Sequence, residues 1–158
     1  RGLGDVYKRQ IVKAATEVEE TFEVLNQQEG YNISFNKCKT AYVYGDYDKL
    51  KQVMANLISN AIKYCGNDKY VRIELKKVGR NVRFDVIDHG DGIAAEEISH
   101  VWERYYRTSA NRNRNIEGTG LGLSIVKGIL SLHNANYGVE SEEGKGSDFW
   151  FELATVKK

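Results

Sequence analysis

The sequence predicts an α/β (α+β) fold in which a sheet of at least four strands carries helices on one face. Three observations lead there. Apolar residues recur at helical spacing from Leu50 to Ile62. Two segments, 70–76 and 82–88, alternate apolar and polar residues as strands do, and 136–141 and 148–155 read as two more strands. No internal repeat and no long linker divides the 158 residues, so one domain is expected.

Taken in order, residues 1–10 (RGLGDVYKRQ) show no clear periodicity and stay unassigned, a candidate non-native leader ahead of a domain spanning 11–158. The start at Arg1 rather than Met suggests a fragment. Residues 11–29 read as a helix of mixed charge stopped by Gly30. Tyr31–Phe35 alternates, and Ala41–Tyr44 forms a second short strand closed by Gly45 and Asp46. Asp46 is suited to cap the next helix, whose stripe is Leu50, Val53, Met54, Leu57, Ile58, Ala61 and Ile62 and which ends at Gly66. The two alternating runs that follow make a hairpin about Gly79. Short helical stretches are expected within 95–106, a polar loop over 107–117, an apolar helix over 120–132, and two closing strands.

Composition narrows the function. Apolar residues make up 41%, charged residues 28%, and the net charge of +1 lacks the basic footprint of a nucleic-acid binder. A chain of about 150 residues buries roughly 70% of its unfolded surface, so no disulfide staple is needed. Cys38 and Cys65 lack CxxC spacing and read as free thiols in a reducing compartment. With no membrane-length apolar run and no secretory pattern, a cytoplasmic domain is expected.

Three stretches carry chemistry. Asn56, Asn60 and Lys63 fall at steps of four and three, on one stripe of the central helix away from its apolar face. Two carboxamides and an amine there can hold hydrated Mg²⁺ and a phosphate chain, whereas the bland alternative is a solvated polar face. Asparagine is a poor helix former, and two in mid-helix without capping duty ask for another reason. The second stretch, Asp88-His89-Gly90-Asp91-Gly92-Ile93, directly follows a strand. Its glycines let the backbone turn and approach a ligand, and its acid can accept a hydrogen bond from an exocyclic amine such as that of adenine. An ordinary Asp/Gly surface turn is the alternative. Gly118-Thr119-Gly120-Leu121-Gly122 enters the apolar helix, where amide groups favour phosphate unless the glycines serve only tight packing. It matches neither the GxGxxG nor the Walker A pattern.

In order and combination these stretches resemble the catalytic ATP-binding domain of two-component sensor histidine kinases, within the wider GHKL group of ATPases and kinases. Asp48–Met54 leading into NLISNAIKY resembles the N box, DHGDGI the first glycine box, and Val101–Arg107 (VWERYYR) the F box. GTGLGLSIVKGIL resembles the second glycine box and Gly144–Phe149 the closing turn. The likeness spans about residues 12–155.

The resemblance implies the two-layer α/β sandwich of the GHKL (Bergerat) type, a mixed sheet backed by helices. It implies ATP and Mg²⁺ as cofactors, with Asn60 on the metal and Asn56 beside it. Lys63 and Tyr64 would face the nucleotide, Lys63 on phosphate. Asp88 would take the adenine amino group, with Gly90, Gly92 and Ile93 in the same loop. Gly118, Thr119, Gly120, Leu121 and Gly122 would wrap the phosphates, and residues 107–117 would form an ATP lid from which Arg107 reaches the phosphates. Asn56, Lys63 and Arg107 are the expected catalytic residues.

The nucleophile would be a histidine on a separate helical dimerisation domain, and the phosphoryl group would pass to a response regulator. The fragment alone is expected to be monomeric. His89, His100 and His133 lack the acidic neighbour that usually follows an acceptor histidine and read as loop or packing residues. Hydrolytic relatives carry an acid at the position of Asn56, and an amide cannot deprotonate water. An ATPase module of the same group, or a nucleotide-binding domain without kinase activity, is the alternative reading. Trp102, Tyr105 and Tyr106 are candidates for docking the absent helices or, equally, for packing beneath the lid.

Overall fold

The computed structural model describes residues 2–108 and 122–158. They form seven strands, three α-helices and one 3₁₀ segment. In chain order these are β1 (Val6–Gln10), α1 (Ile11–Gln28), β2 (Asn32–Lys37), β3 (Tyr42–Asp46), α2 (Tyr47–Tyr64), β4 (Tyr70–Val78) and β5 (Asn81–Asp88). The 3₁₀ segment Ala95–His100, α3 (Gly122–Leu132), β6 (Asn136–Ser141) and β7 (Ser147–Ala154) follow.

Five strands make one mixed sheet in the order β2-β4-β5-β7-β6, parallel only between β2 and β4. The remaining strands, β1 and β3, pair with each other antiparallel from Val6↔Asp46 to Gln10↔Tyr42. Residues 1–10 thus contain a strand that their sequence pattern does not announce. Val6 and Tyr7 are 44% and 59% exposed, so this strand carries no alternation of burial to read.

The expected two-layer arrangement is present. The core-facing row is Val71, Ile73 and Leu75 on β4, Val82, Phe84 and Val86 on β5, and Phe149, Phe151 and Leu153 on β7, all buried. Phe84 and Phe151, partners in register, lie with ring centroids 5.3 Å apart. Against this row packs α2, whose Leu50, Val53, Met54, Leu57 and Ile58 are each essentially inaccessible. Full burial of side chains of this size contributes roughly 1.5–3 kcal/mol each. The start of α2 is set as expected by Asp46, whose Oδ1 accepts from the Lys49 N–H at 3.2 Å.

The opposite face of the sheet is charged. Arg83 lies over the Trp150 ring at 4.3 Å and donates to Asp85 at 3.0 Å and to Glu152 at 3.2 Å. Buried Asp85 is compensated in this way, while for Asp148 beside it the Arg83 charge is outweighed. Burial, and then the neighbouring Asp85 carboxylate, push the Asp148 carboxyl up to about 8. At the sheet margin, Asn26 of α1 satisfies both backbone groups of one residue of β2. It donates to the Ile33 carbonyl at 3.0 Å and accepts from the Ile33 N–H at 2.8 Å. An edge strand otherwise offers such groups to any passing chain.

Two outcomes follow from these contacts. The folded chain holds the Asp148 proton more tightly than the unfolded one, so stability from this group falls as pH rises from about 4 to about 8. Asp148→Asn is therefore expected to raise Tm at pH 8, with the gain shrinking toward pH 4 in a series of thermal melts. Asn26→Ala removes two hydrogen bonds and should cost about 1–2 kcal/mol in urea denaturation.

Candidate functional site

Strand alternation continues past the apolar row of β5 to Asp88, so the core-facing position at the strand's end is a carboxylate. Asp88 is 5% exposed. Its Oδ1 accepts from the Gly90 N–H at 2.8 Å, and the Ser147 N–H also donates to the carboxylate. Burial outweighs these bonds and pushes its carboxyl up to about 6.

The cleft that opens at Asp88 runs along α2. Asn56, Ser59, Asn60, Lys63 and Tyr64 form one wall, one stripe of the helix as their spacing requires. Ile93, Val101, Tyr106 and Phe149 supply an apolar flank, and Arg107, Thr108, Gly122 and Leu123 the remaining rim. Lys63 Nζ stands 5.9 Å from the Tyr64 ring centroid. The Tyr64 hydroxyl is pushed up by burial, against a smaller opposing influence from the Arg107 charge close by. The cleft therefore combines a buried acceptor, Asp88, with two cations, Lys63 and Arg107.

Of the residues expected from sequence, Asn56, Asn60, Lys63, Tyr64, Asp88, Gly92, Ile93, Arg107 and Gly122 line this cleft. Gly118, Thr119, Gly120 and Leu121 lie outside the described residues, as does most of the expected lid. Gly90 has a packing duty in this structure. A Cβ there would collide with the Tyr64 carbonyl oxygen, so its missing side chain lets the end of α2 pack against the loop. Gly92 does the same toward the Glu142 carbonyl, and its φ of +74° suits glycine besides. Three chain segments thus cross at van der Waals distance behind Asp88. Ser141 latches them, its Oγ accepting from the Ile93 N–H at 2.8 Å and donating to the Gly146 carbonyl at 2.8 Å.

The F-box aromatics divide. Trp102 is 9% exposed and packs edge-on to Tyr137 at 4.9 Å and Phe149 at 5.6 Å, so it belongs to the core. Tyr106 lines the cleft, and Tyr105 is 64% exposed on a backbone with φ +67°. His133 is structural, accepting from the Asp46 N–H at Nε2 (3.0 Å) while its Nδ1 donates to the Ile129 carbonyl (2.9 Å). Ser59, Asp91, Val101, Tyr106, Thr108, Leu123, Ser147 and Phe149 line the cleft without having been singled out as site residues. Position 147 was in view within the closing turn, but only the register Asp88↔Ser147 brings it to the site.

Similarity to known proteins agrees with this geometry. The family described as Histidine kinase-, DNA gyrase B-, and HSP90-like ATPase matches residues 45–157. The phosphate regulon sensor protein PhoR of Haemophilus influenzae is 36% identical over 129 residues, 82% of this chain and 30% of its own length. Sensor protein SrrB of Staphylococcus aureus is 38% identical over 124 residues, 78% of this chain and 21% of its own. The chain thus spans less than a third of these relatives. The nucleotide-free catalytic domain of histidine kinase ThkA superposes with TM-score 0.80 at 26% identity over 96% of either chain. Full-length ShkA, solved in complex with AMPPNP, does so with TM-score 0.81 at 25% identity, over 100% of this chain and 33% of its own. The chain therefore belongs to the histidine kinase-, DNA gyrase B- and HSP90-like ATPase family, as a catalytic ATP-binding domain of the sensor histidine kinase type.

Proposed function

We propose that the cleft holds Mg-ATP with its base against Asp88 and its phosphates toward Lys63 and Arg107, and that the γ-phosphoryl group passes to a histidine on a separate helical domain. One observation carries the reading. The polar stripe of α2 and the buried Asp88 carboxylate open into the same cleft, which Ile93, Val101, Tyr106 and Phe149 also line as an apolar surface suited in character to a purine. Asp88 accepts the exocyclic amine, while Ile93, Tyr106 and Phe149 exclude water from the ring. The donor set fits magnesium. Among the described residues no three His, Cys, Asp or Glu side chains gather as a metal cage. Mg²⁺ characteristically takes one or two protein oxygens plus waters and phosphate, and the Asn60 carboxamide oxygen, with Asn56 beside it, would supply the protein's share. The bound ion would neutralise phosphate charge.

Phosphoryl transfer asks the protein mainly for position and charge neutralisation. Lys63 and Arg107 provide cations for the phosphate chain. Asn56 cannot take a proton from water, which favours an external nucleophile over hydrolysis. The histidines described in the cleft region are committed elsewhere. His89 pairs with Asp68, and His100 with Glu103 at 2.8 Å. The acceptor is accordingly assigned to a helical dimerisation domain supplied in trans, with a response regulator downstream. A parent protein anchored in a membrane is compatible with this domain, none of whose described helices is long and apolar enough to cross one.

Calorimetric titration of Mg-ATP should give saturable heat followed by a flat baseline. In Asp88→Asn the binding heat should be lost, corresponding to at least about tenfold weaker affinity, because a buried acceptor is replaced by a partial donor. Wild-type affinity should fall as pH drops through about 6, where Asp88 takes up its proton. Sustained heat of turnover in the wild type would instead establish an ATPase. Asn56→Glu introduces a general base and should raise basal phosphate release by roughly tenfold or more, short of the 10²–10⁴ of an optimised base. An unchanged rate in a malachite-green assay would remove Asn56 from the site of attack.

A further inference from the structure

His89 stands between Asp88 and Gly90 yet is 52% exposed and points away from the cleft, as alternation from Asp88 requires. It is nonetheless anchored at three places. Its ring stacks on Tyr70 with centroids 4.3 Å apart and planes 14° from parallel. Its Nδ1 lies 2.7 Å from Asp68 Oδ2, and the other oxygen of that carboxylate accepts from the Tyr70 N–H at 3.0 Å. Its carbonyl packs on Gly66, where any Cβ would collide with it.

All three anchors belong to β4 or to the segment that leads into it from α2. The strand β4 is also the one that flanks Asp88, through the pair Val71↔Asp88. Pairing of β5 ends at Asp88, so beyond it the ladder no longer holds the chain. The Asp88 carboxylate is oriented by the N–H of Gly90, two residues on, together with the Ser147 N–H. Its direction therefore depends in part on the backbone of the residue between, and His89 is pinned from the outer side. The hydrogen bond from His89 is also the main reason that the Asp68 carboxyl lies below its ordinary range.

We propose that His89 is a positioning residue for purine recognition, fixing the Asp88–Gly90 turn through Asp68 and Tyr70 so that the Asp88 carboxylate meets the 6-amino group. The inference rests on the reading of Asp88 as the purine contact. It makes the discrimination of adenine a joint property of the strand end and of the segment after α2.

The test compares two nucleotides by calorimetry, Mg-ATP and the magnesium complex of purine riboside triphosphate, which differs only in lacking the 6-amino group. His89→Ala should weaken ATP by about three- to tenfold, the size of one aromatic stack plus one exposed ion pair. The same variant should leave purine riboside triphosphate unchanged. Asp68→Ala should act alike, and the double variant should be little worse than either alone. His89→Asn, whose amide can occupy the place of Nδ1 but cannot stack on Tyr70, should recover part of the ATP affinity. Thermal melts run alongside confirm that the variants are folded. Unchanged ATP affinity in His89→Ala would overturn the proposal, as would equal weakening of both nucleotides, which marks general support of the fold. If Asp88→Asn itself retained full preference for ATP, the purine contact would lie elsewhere, and the premise would fall before the inference.

Discussion

The site depends on one buried carboxylate at the end of an apolar row. Val82, Phe84 and Val86 set the pitch of β5 against α2, and the next core-facing position holds Asp88. A carboxylate so placed is costly to ionise, and the protein offsets that cost with N–H donors from Gly90 and Ser147. Those donors exist only because the loop after β5 doubles back and because β7 pairs with β5 in the observed register. The same sheet that buries the core thus builds the acceptor, and Asp88 cannot be moved without moving the strand.

Around that point the molecule trades side chains for proximity. The end of α2, the loop after β5 and the turn between β6 and β7 meet where Gly90 and Gly92 leave room. Ser141 fastens the crossing, and the Gly144 N–H adds a bond to the Asp91 carbonyl at 2.6 Å. This assembly supplies one wall of the cleft. Residues 106–108, which follow the left-handed backbone of Tyr105, also line it. Such a conformation costs a bulky residue about 1–2 kcal/mol. It turns the chain so that Tyr106 and Arg107 reach the cleft while Tyr105 itself stands outside.

Much of this was legible in the sequence, wherever the signal is local. The stripe from Leu50 to Ala61 announced α2, Asp46 its cap, and Gly79 the hairpin turn, because periodicity and capping operate within a few residues. The wall Asn56, Asn60 and Lys63 followed from helical geometry alone. What stayed hidden is non-local. Ser147 and Phe149 join the site through strand register, β1 exists through its pairing with β3, and Trp102 is buried by Tyr137 and Phe149 from the far end of the chain. Gly90 was readable as a glycine that must be there. The neighbour that requires it is a carbonyl of the protein itself, and no spacing rule reports that.

The crossing at Gly90 and Gly92 bears on how such domains age. Their side-chain-free surfaces face other parts of the same polypeptide, so selection for folding preserves them even after selection for catalysis has ended. A descendant that had ceased to bind nucleotide would still carry the DHGDGI spacing as an architectural fossil. The residues free to drift in that lineage would be those whose side chains line the cleft from the polar stripe of α2, with Asn60 and Lys63 foremost. Decay of activity in this lineage would therefore be written on the α2 wall while the glycine loop still looked intact.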